Sequence, residues 1–355
     1  MPAKRKKQNK KLGWLRTIIM VILLLLVTLF LWQHELILYG IRQAKGQMTI
    51  IANTKPIESF LNDPQYPDSL KQKLKLIQKA KDFAVDSLGM KATDNYTEMY
   101  DQQGMPVLWV VTASEAFQMK QKEWQFPLLG SFSYKGYFDL ELAQIEEKHL
   151  QALGYDTSIR TVGGWSTLGW FDDPILSNML FRDEGMLADL IIHELTHTTL
   201  YIKDSVQFNE NLATFIGNEG ARQFLSMQYG ENSNELRHFE NQLHDRQVFA
   251  NHVLKYYHKL DSLYQNFPEE LSDEVKQKKK EQLIKEFVKR IDSLNFNEAE
   301  NYLGLFENNL PNNTFFQSYL RYRGSMDQLE QQYIEQFNSR LKAMLDYYKS
   351  SYSSL

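Results

Sequence analysis

Two histidines four residues apart, with a glutamate directly after the first, are the residues of this chain best suited to chemistry. They are His193, Glu194 and His197, in the stretch IIHELTHTTLY that begins at Ile191. On a helix, residues four positions apart lie on the same face, so both imidazoles can bind one ion. Glu194 is rotated by about 100° from His193, so it is placed to act as a general base on a metal-bound water.

This H-E-x-x-H pattern is typical of zinc hydrolases, in which the metal lowers the pKa of a water molecule and the glutamate accepts its proton. The alternative is an ordinary amphipathic helix that carries two imidazoles by chance. The surrounding stretch MLADLIIHELTHTTLY is strongly apolar, and unpaired imidazoles on a buried helix would be costly, which favours a metal. The chain has no cysteine, so a metal site must use His, Asp and Glu.

A third ligand is required, and the stretch FNENLATFIGNEGA contains two acids, Glu210 and Glu219. They are nine residues apart, about 900° on an ideal helix, so they lie on opposite faces. Glu210 is in the first turn of the predicted helix, nearest the short loop after His197, and is the predicted third ligand. We expect Glu219 to have an outer role, orienting a histidine or meeting a substrate amine.

The elements that must position these residues indicate a helix-rich α+β fold. A small sheet and several helices precede the histidine motif, and a long all-helical part follows it. One predicted strand begins at Val107, a second begins at Ser131, and a third ends at Val162. The predicted helices cover about 67–88, 140–153, 185–202, 208–230 and 326–350, with further helices between 231 and 294. We therefore predict a metallopeptidase core over residues 34–230 and a helical C-terminal part over residues 231–355.

The first 33 residues predict a membrane anchor. Seven basic residues and no acidic residue lie within positions 1–16, and the stretch from Thr17 to Gln33 is uncharged. As a helix that stretch is about 26 Å long, close to the thickness of a hydrocarbon core of about 30 Å. No small-residue cleavage site follows, which disfavours a cleaved signal peptide.

Basic residues beside a membrane span stay on the cytoplasmic side. We therefore expect a single-pass protein of the cell membrane, with residues 1–16 in the cytoplasm, 17–33 transmembrane, and the catalytic body in the periplasm or outside the cell. The net charge is −4, so the chain beyond the +7 leader carries −11. An acidic body argues against nucleic acid as a partner. The expected partners are a peptide substrate and, through the N-terminal helix, the membrane.

Three stretches in combination, STLGWFDDPILS, HELTHTTLY and FNENLATFIGNEGA, closely resemble the bacterial family of predicted zinc aminopeptidases, gluzincin-like metallopeptidases of the cell envelope. The resemblance extends to YGIRQAKGQMTIIANTKPI, FPLLGSFSYKGYFD and LPNNTFFQSYLRY, so it covers most of the body. In gluzincins a helix that carries Asn-Glu followed by small residues supplies the third zinc ligand, which here corresponds to Asn209 and Glu210. The gap after His197 is shorter than usual, and the chain lacks a lipobox cysteine.

The resemblance implies a zincin-like core and a zinc aminopeptidase that holds one Zn²⁺ through His193, His197 and Glu210 and uses Glu194 as general base. Two alternatives stay open: a non-catalytic envelope scaffold with a structural or vestigial zinc site, and a zinc endopeptidase. The three evident ligands leave a position for water, whereas a closed structural site has four protein ligands. This favours an enzyme. Substrate preference and oligomeric state are not determined by the sequence.

Several further residues have both a functional and a purely structural interpretation. The segment 163–166 is either an edge strand that pairs with an extended peptide or a strand-to-loop turn. The acids preceding Pro174 either bind a substrate amine or start a turn or helix, and tyrosines near the C-terminus either donate to an oxyanion or pack in the core. The residues concerned are Gly163, Gly164, Trp165 and Ser166; Asp172 and Asp173; Asn312, Asn313, Tyr319 and Tyr322.

Overall fold

The computed structural model describes residues 2–126, 130–162, 172–203, 205–320 and 326–352. The chain divides into two compact units, Met1–Asn53 and Thr54–Leu355. The first unit is the helix α1 (Pro2–Asn53), whose backbone leaves helical geometry at Gln33, with φ −118° and ψ 21°. The predicted domain boundary at residue 230 stays a prediction.

The predicted transmembrane helix is not supported. No helix among the described residues is both long and apolar enough to cross a membrane. The helical conformation is not limited to the uncharged stretch 17–33, because α1 extends through the basic residues before it and the polar residues after it. The predicted location of the protein in the cell stays untested.

The second unit confirms the prediction of a helix-rich α+β fold with small sheets. Its helices are α2 (Ile57–Leu61), α3 (Asp68–Asp86), α4 (Leu140–Ala152), α5 (Glu184–Thr199), α6 (Val206–Tyr229), α7 (Asn234–Gln265), α8 (Asp273–Ile291), α9 (Asn313–Ser318), α10 (Met326–Glu335) and α11 (Leu341–Tyr352). Its strands are β1 (Thr54–Pro56), β2 (Glu98–Tyr100), β3 (Trp109–Glu115), β4 (Trp124–Phe126), β5 (Gly130–Phe132), β6 (Lys135–Tyr137), β7 (Tyr155–Thr161) and β8 (Ile175–Leu176). Short 3-10 helices cover Ser177–Phe181 and Ala299–Asn301.

The strands form three small sheets. One has the order β1-β2-β8, with β1 antiparallel and β8 parallel to β2. The second has the antiparallel order β6-β3-β7, and β4 with β5 forms a two-stranded sheet. The strand β8 leads through the 3-10 helix directly into α5, so the first sheet fixes where the helix with the histidine motif begins.

The single helix predicted for residues 326–350 is in fact two helices, α10 and α11. Between them Asn338 and Ser339 adopt left-handed backbone conformations, with φ of 49° and 55°. The Tyr333 hydroxyl donates to the carbonyl of Ser339 at 2.8 Å, which holds the reversal in place. A helix cannot continue through two left-handed residues, and the four-residue apolar spacing alone did not reveal the break.

Two apolar cores organise the second unit. The larger one collects buried side chains of α3, α5, α6, α10 and α11. The smaller one is aromatic and joins α7, α8 and α9. In α5 the residues at Leu187, Ile191, Ile192 and Leu195 are all fully buried, which explains why a helix with so few charges is stable: its apolar surface contacts other helices on several sides. At its N-terminus Asp183 accepts a hydrogen bond from the Met186 amide at 2.9 Å, which caps the helix.

The first turn of α5 packs tightly against α7. A Cβ atom added to Gly185 would lie 2.6 Å from the side chain of Phe239. We therefore expect Gly185→Ala to lower the free energy of unfolding by about 1–3 kcal/mol, the usual cost of overpacking. Thermal and denaturant unfolding measure this. Gly40→Ala is the matched control, because Gly40 also lies in a helix but has no atom within 4 Å of the added Cβ, and it should cause no loss. Equal stability of Gly185→Ala and the wild type would contradict the tight contact.

Candidate metal centre

The histidine motif and the predicted third ligand come together where α5 packs against α6. His193, Glu194 and His197 lie in the last two turns of α5, and Glu210 lies in the first turns of α6. Asn209 closes the loop between the helices: its amide nitrogen donates to the Ile202 carbonyl at 2.7 Å, and its side-chain oxygen accepts from the Ile202 amide at 2.9 Å. This pair of bonds places Glu210 opposite the two imidazoles.

The three candidate ligands present one donor atom each to a common point. The Nε2 atoms of His193 and His197 are 3.2 Å apart. The Oε2 of Glu210 lies 3.8 Å from the Nε2 of His193, and its Oε1 lies 3.5 Å from the Nε2 of His197. One donor atom from each of the three side chains lies within 4.8 Å of the other two. Among the described residues this is the one group of three or more His, Asp or Glu side chains that can hold a metal.

These separations fit a tetrahedral zinc site. Ligand atoms at about 2.0–2.1 Å from a tetrahedral zinc are about 3.3 Å from each other, and two imidazole nitrogens with one carboxylate oxygen are an ordinary catalytic donor set. The two imidazoles are 19% exposed and the Glu210 side chain is 35% exposed, and the Nδ1 of His197 is buried without a hydrogen-bond partner among the described residues. The residues therefore fit the metal by donor type and by spacing.

Burial sets the protonation of the imidazoles. It lowers the pKa of His193 to about 3, with a smaller contribution from His197. It also lowers the pKa of His197, although the Glu210 carboxylate acts in the opposite direction. Both rings are thus neutral at pH 7, and the neutral imidazole is the form that binds a metal.

Glu194 lies beside this cluster, and its pKa is higher than that of an ordinary glutamate. Burial raises its pKa to about 7, and the negative charges of Glu210 and Asp173 contribute in the same direction. A group whose pKa is close to the working pH both accepts and returns a proton efficiently. Its position after His193 turns its side chain away from the ligand face of α5 by about 100°.

The other acids that the sequence offered as site residues lie in different surroundings. Glu219 is outside the donor cluster and pairs with Arg222. Asp173 is buried and its charge acts on Glu194, whereas Asp172 is exposed and acts on Lys81.

The residues near the C-terminus lie away from the metal cluster. The ring of Tyr319 packs against Phe249 and Phe315 in the smaller core, with centroids 5.9 and 5.3 Å away. Asn313 donates to the carbonyl of Glu115 on β3 at 2.9 Å. The structure therefore places neither of them beside the ligands. Tyr322 and the segment 163–166 lie outside the described residues.

Two buried groups near the ligands were not found from the sequence. Asp189 precedes His193 by one turn, and one of its oxygens is 3.7 Å from Nη2 of Arg246. Burial raises its pKa to about 6, although Arg246 opposes the shift. Tyr96 is almost fully buried, and its pKa is raised by burial and then by Glu194. The four-residue spacing before His193 was a usable signal for Asp189, whereas Tyr96 lies almost a hundred residues away and had none.

The comparison with known protein families supports a peptidase-like function. A family model described as "Putative aminopeptidase" matches residues 38–351, so the chain belongs to this family. No curated protein and no solved structure matches the chain significantly. Membership supports a peptidase-like function, and the match begins within α1 and ends within α11.

The zinc content of variants distinguishes the roles of the two acids on α6, Glu210 and Glu219. We expect Glu210→Ala to lose at least about tenfold in zinc affinity, because one of the three donors is removed, and Glu219→Ala to bind zinc as the wild type does. Elemental analysis after dialysis against limiting zinc, together with the zinc-dependent shift in melting temperature, measures both. His193→Ala provides the positive reference for loss. Zinc retained by Glu210→Ala and lost by Glu219→Ala would reverse the assignment.

Proposed function

We propose that this protein is a zinc-dependent aminopeptidase with a zincin-like core of the gluzincin type. The observation that carries the proposal is the convergence of His193, His197 and Glu210 on one point with Glu194 beside them. Family membership supports peptide hydrolysis in general. The zinc ion, the third ligand and the role of Glu194 are our inference from the geometry.

The residues of the site have two roles in this proposal, metal binding and proton transfer. His193, His197 and Glu210 would hold the ion, which when bound supplies Lewis-acid chemistry to a carbonyl oxygen and a water molecule. Glu194 takes a proton from the attacking water and transfers it to the amine that leaves.

The scaffold alternative is weaker. A structural zinc site is closed by four protein ligands, and the described residues offer three donors within reach of one another. A structural site also has no use for a buried acid such as Glu194 next to the ligands.

An exopeptidase needs an acid that receives the ammonium group of the substrate. Of the acids considered, Asp173 is the one whose charge acts on Glu194, and its side chain is largely buried. Glu219 is engaged by Arg222, and Asp172 is exposed. We assign ammonium recognition to Asp173 because, of the acids considered, it is the one whose charge reaches Glu194.

Glu194→Gln tests the mechanism. Glutamine keeps the shape of the side chain but cannot accept a proton, so kcat should fall by a factor of about 10² or more. Zinc content should stay at the wild-type value, because Glu194 is not among the donors. Peptide hydrolysis and metal analysis on the same sample measure this. Glu281→Gln is the control and should leave kcat unchanged, because Glu281 lies on α8 and, among the described residues, its side chain bonds only to Gln277 of the same helix at an exposed position. Near-normal turnover of Glu194→Gln would remove Glu194 from the mechanism.

Blocked peptides test the exopeptidase assignment. Acetylation removes the positive charge that Asp173 would receive, so N-acetylated peptides should be cleaved at least about tenfold more slowly than free peptides of the same sequence. Mass spectrometry of the products should show removal of the first residue. Equal rates for both peptides, with cuts inside the chain, would establish the endopeptidase alternative.

A further inference from the structure

Tyr96 has a backbone conformation that its residue type rarely adopts. Its φ is +63°, in the left-handed region, which bulky side chains avoid because Cβ meets the following carbonyl oxygen. Such strain persists only where surrounding contacts hold it, and it is concentrated at functional sites. Tyr96 is also only 3% exposed, so the strained backbone directs an aromatic ring into the interior.

The contacts that hold Tyr96 come from the loop that carries Asp173. The Tyr96 amide donates to the carbonyl of Asp173 at 2.8 Å. The Asp173 amide in turn donates to the side-chain oxygen of Asn95 at 3.1 Å. The ammonium group of Lys81 donates to the Asn95 carbonyl at 2.7 Å. Three bonds over two adjacent residues thus fix the turn from which the Tyr96 side chain projects.

The same turn is fastened to the end of α5. The side-chain Nδ2 of Asn95 donates to the Thr198 hydroxyl at 3.3 Å, and that hydroxyl donates to the backbone carbonyl of Glu194 at 3.2 Å. Nearby, the Lys91 amide donates to the Thr199 hydroxyl at 3.1 Å. Thr198 directly follows His197, so this chain of bonds connects Tyr96 to the helical turn that contains the metal ligands.

The phenol hydroxyl of Tyr96 makes no hydrogen bond to another described residue, although its ring is buried. The hydroxyl is not among the fully buried polar atoms that lack a partner, so this donor is accessible to a group that arrives with the substrate. Burial, then the charges of Glu194 and Asp173, hold the pKa of Tyr96 well above its usual range. The hydroxyl therefore keeps its proton at pH 7 and acts only as a donor beside those two carboxylates.

We propose that Tyr96 is a catalytic residue whose hydroxyl donates a hydrogen bond to the carbonyl oxygen of the peptide bond under attack. This inference rests on the proposed function. When the water oxygen bonds to the carbonyl carbon, the π electron pair moves onto the carbonyl oxygen, which then accepts the bond from Tyr96 more strongly. The pair returns as the C–N bond breaks, and the amine leaves with the proton that Glu194 carried. Tyr96 keeps its own proton throughout.

Tyr96→Phe removes the hydroxyl and keeps the ring and the backbone constraint. Removing one oxyanion donor lowers kcat by about 10²–10³-fold, and we expect this fall with KM within about threefold of the wild type. Zinc content and melting temperature should not change. Tyr319→Phe is the matched control, since it deletes the hydroxyl of a partly buried phenol packed against the smaller core, and it should retain wild-type kcat.

A phosphinic peptide mimics the tetrahedral intermediate. Its binding affinity distinguishes a catalytic role of Tyr96 from a structural one, because a purely structural role would leave that affinity unchanged. Its affinity for Tyr96→Phe should fall by about the same factor as kcat/KM. Full activity of Tyr96→Phe, or activity lost together with zinc, would overturn the inference while the proposed function stands. A zinc-loaded wild-type protein that cleaves no peptide would instead refute the proposed function, and the role of Tyr96 with it.

Discussion

The close packing of α6 on α5 is the contact on which the candidate site depends. A Cβ atom at Gly217 would lie 2.7 Å from an oxygen of Asp189 and 3.2 Å from the Cβ of His193. At Gly220 it would lie 3.0 Å from the side chain of Ile192. Only a glycine surface on α6 allows this approach, and the approach brings Glu210 within 3.5 Å of an imidazole nitrogen. Larger residues at these positions would separate the third ligand from the other two.

The burial that results from this packing also tunes the chemistry. Removing the imidazoles from water favours their neutral form, and removing Glu194 from water favours its protonated form. The effects have opposite signs for bases and acids, so one environment prepares two ligands for a cation and one carboxyl group for proton exchange. Asp173 and Glu210 strengthen the effect on Glu194 by their charge. Fold stability and acid–base properties at this place thus have a common origin.

Distant segments complete the arrangement. The sheet β1-β2-β8 sets where α5 begins, and the turn at Asn95 and Tyr96 is hydrogen-bonded to the end of the same helix. The helix is thereby held at both ends by segments that precede it in the chain. The aromatic core of α7, α8 and α9 lies apart from the ligands and stabilises the C-terminal half. It contains Tyr319, a residue that the sequence left open as an oxyanion donor.

The sequence by itself determined the local features: the helix with both histidines on one face, the acid in the first turns of the following helix, and the helix-rich α+β class. These depend on spacing along a single element or across one short loop. Tertiary structure alone decided which distant side chains share the site, because Tyr96 and Asp173 reach Glu194 through packing that no periodicity encodes. It also decided that left-handed residues at Asn338 and Ser339 divide the last helix, since apolar spacing continues across a break when both halves pack on the same core.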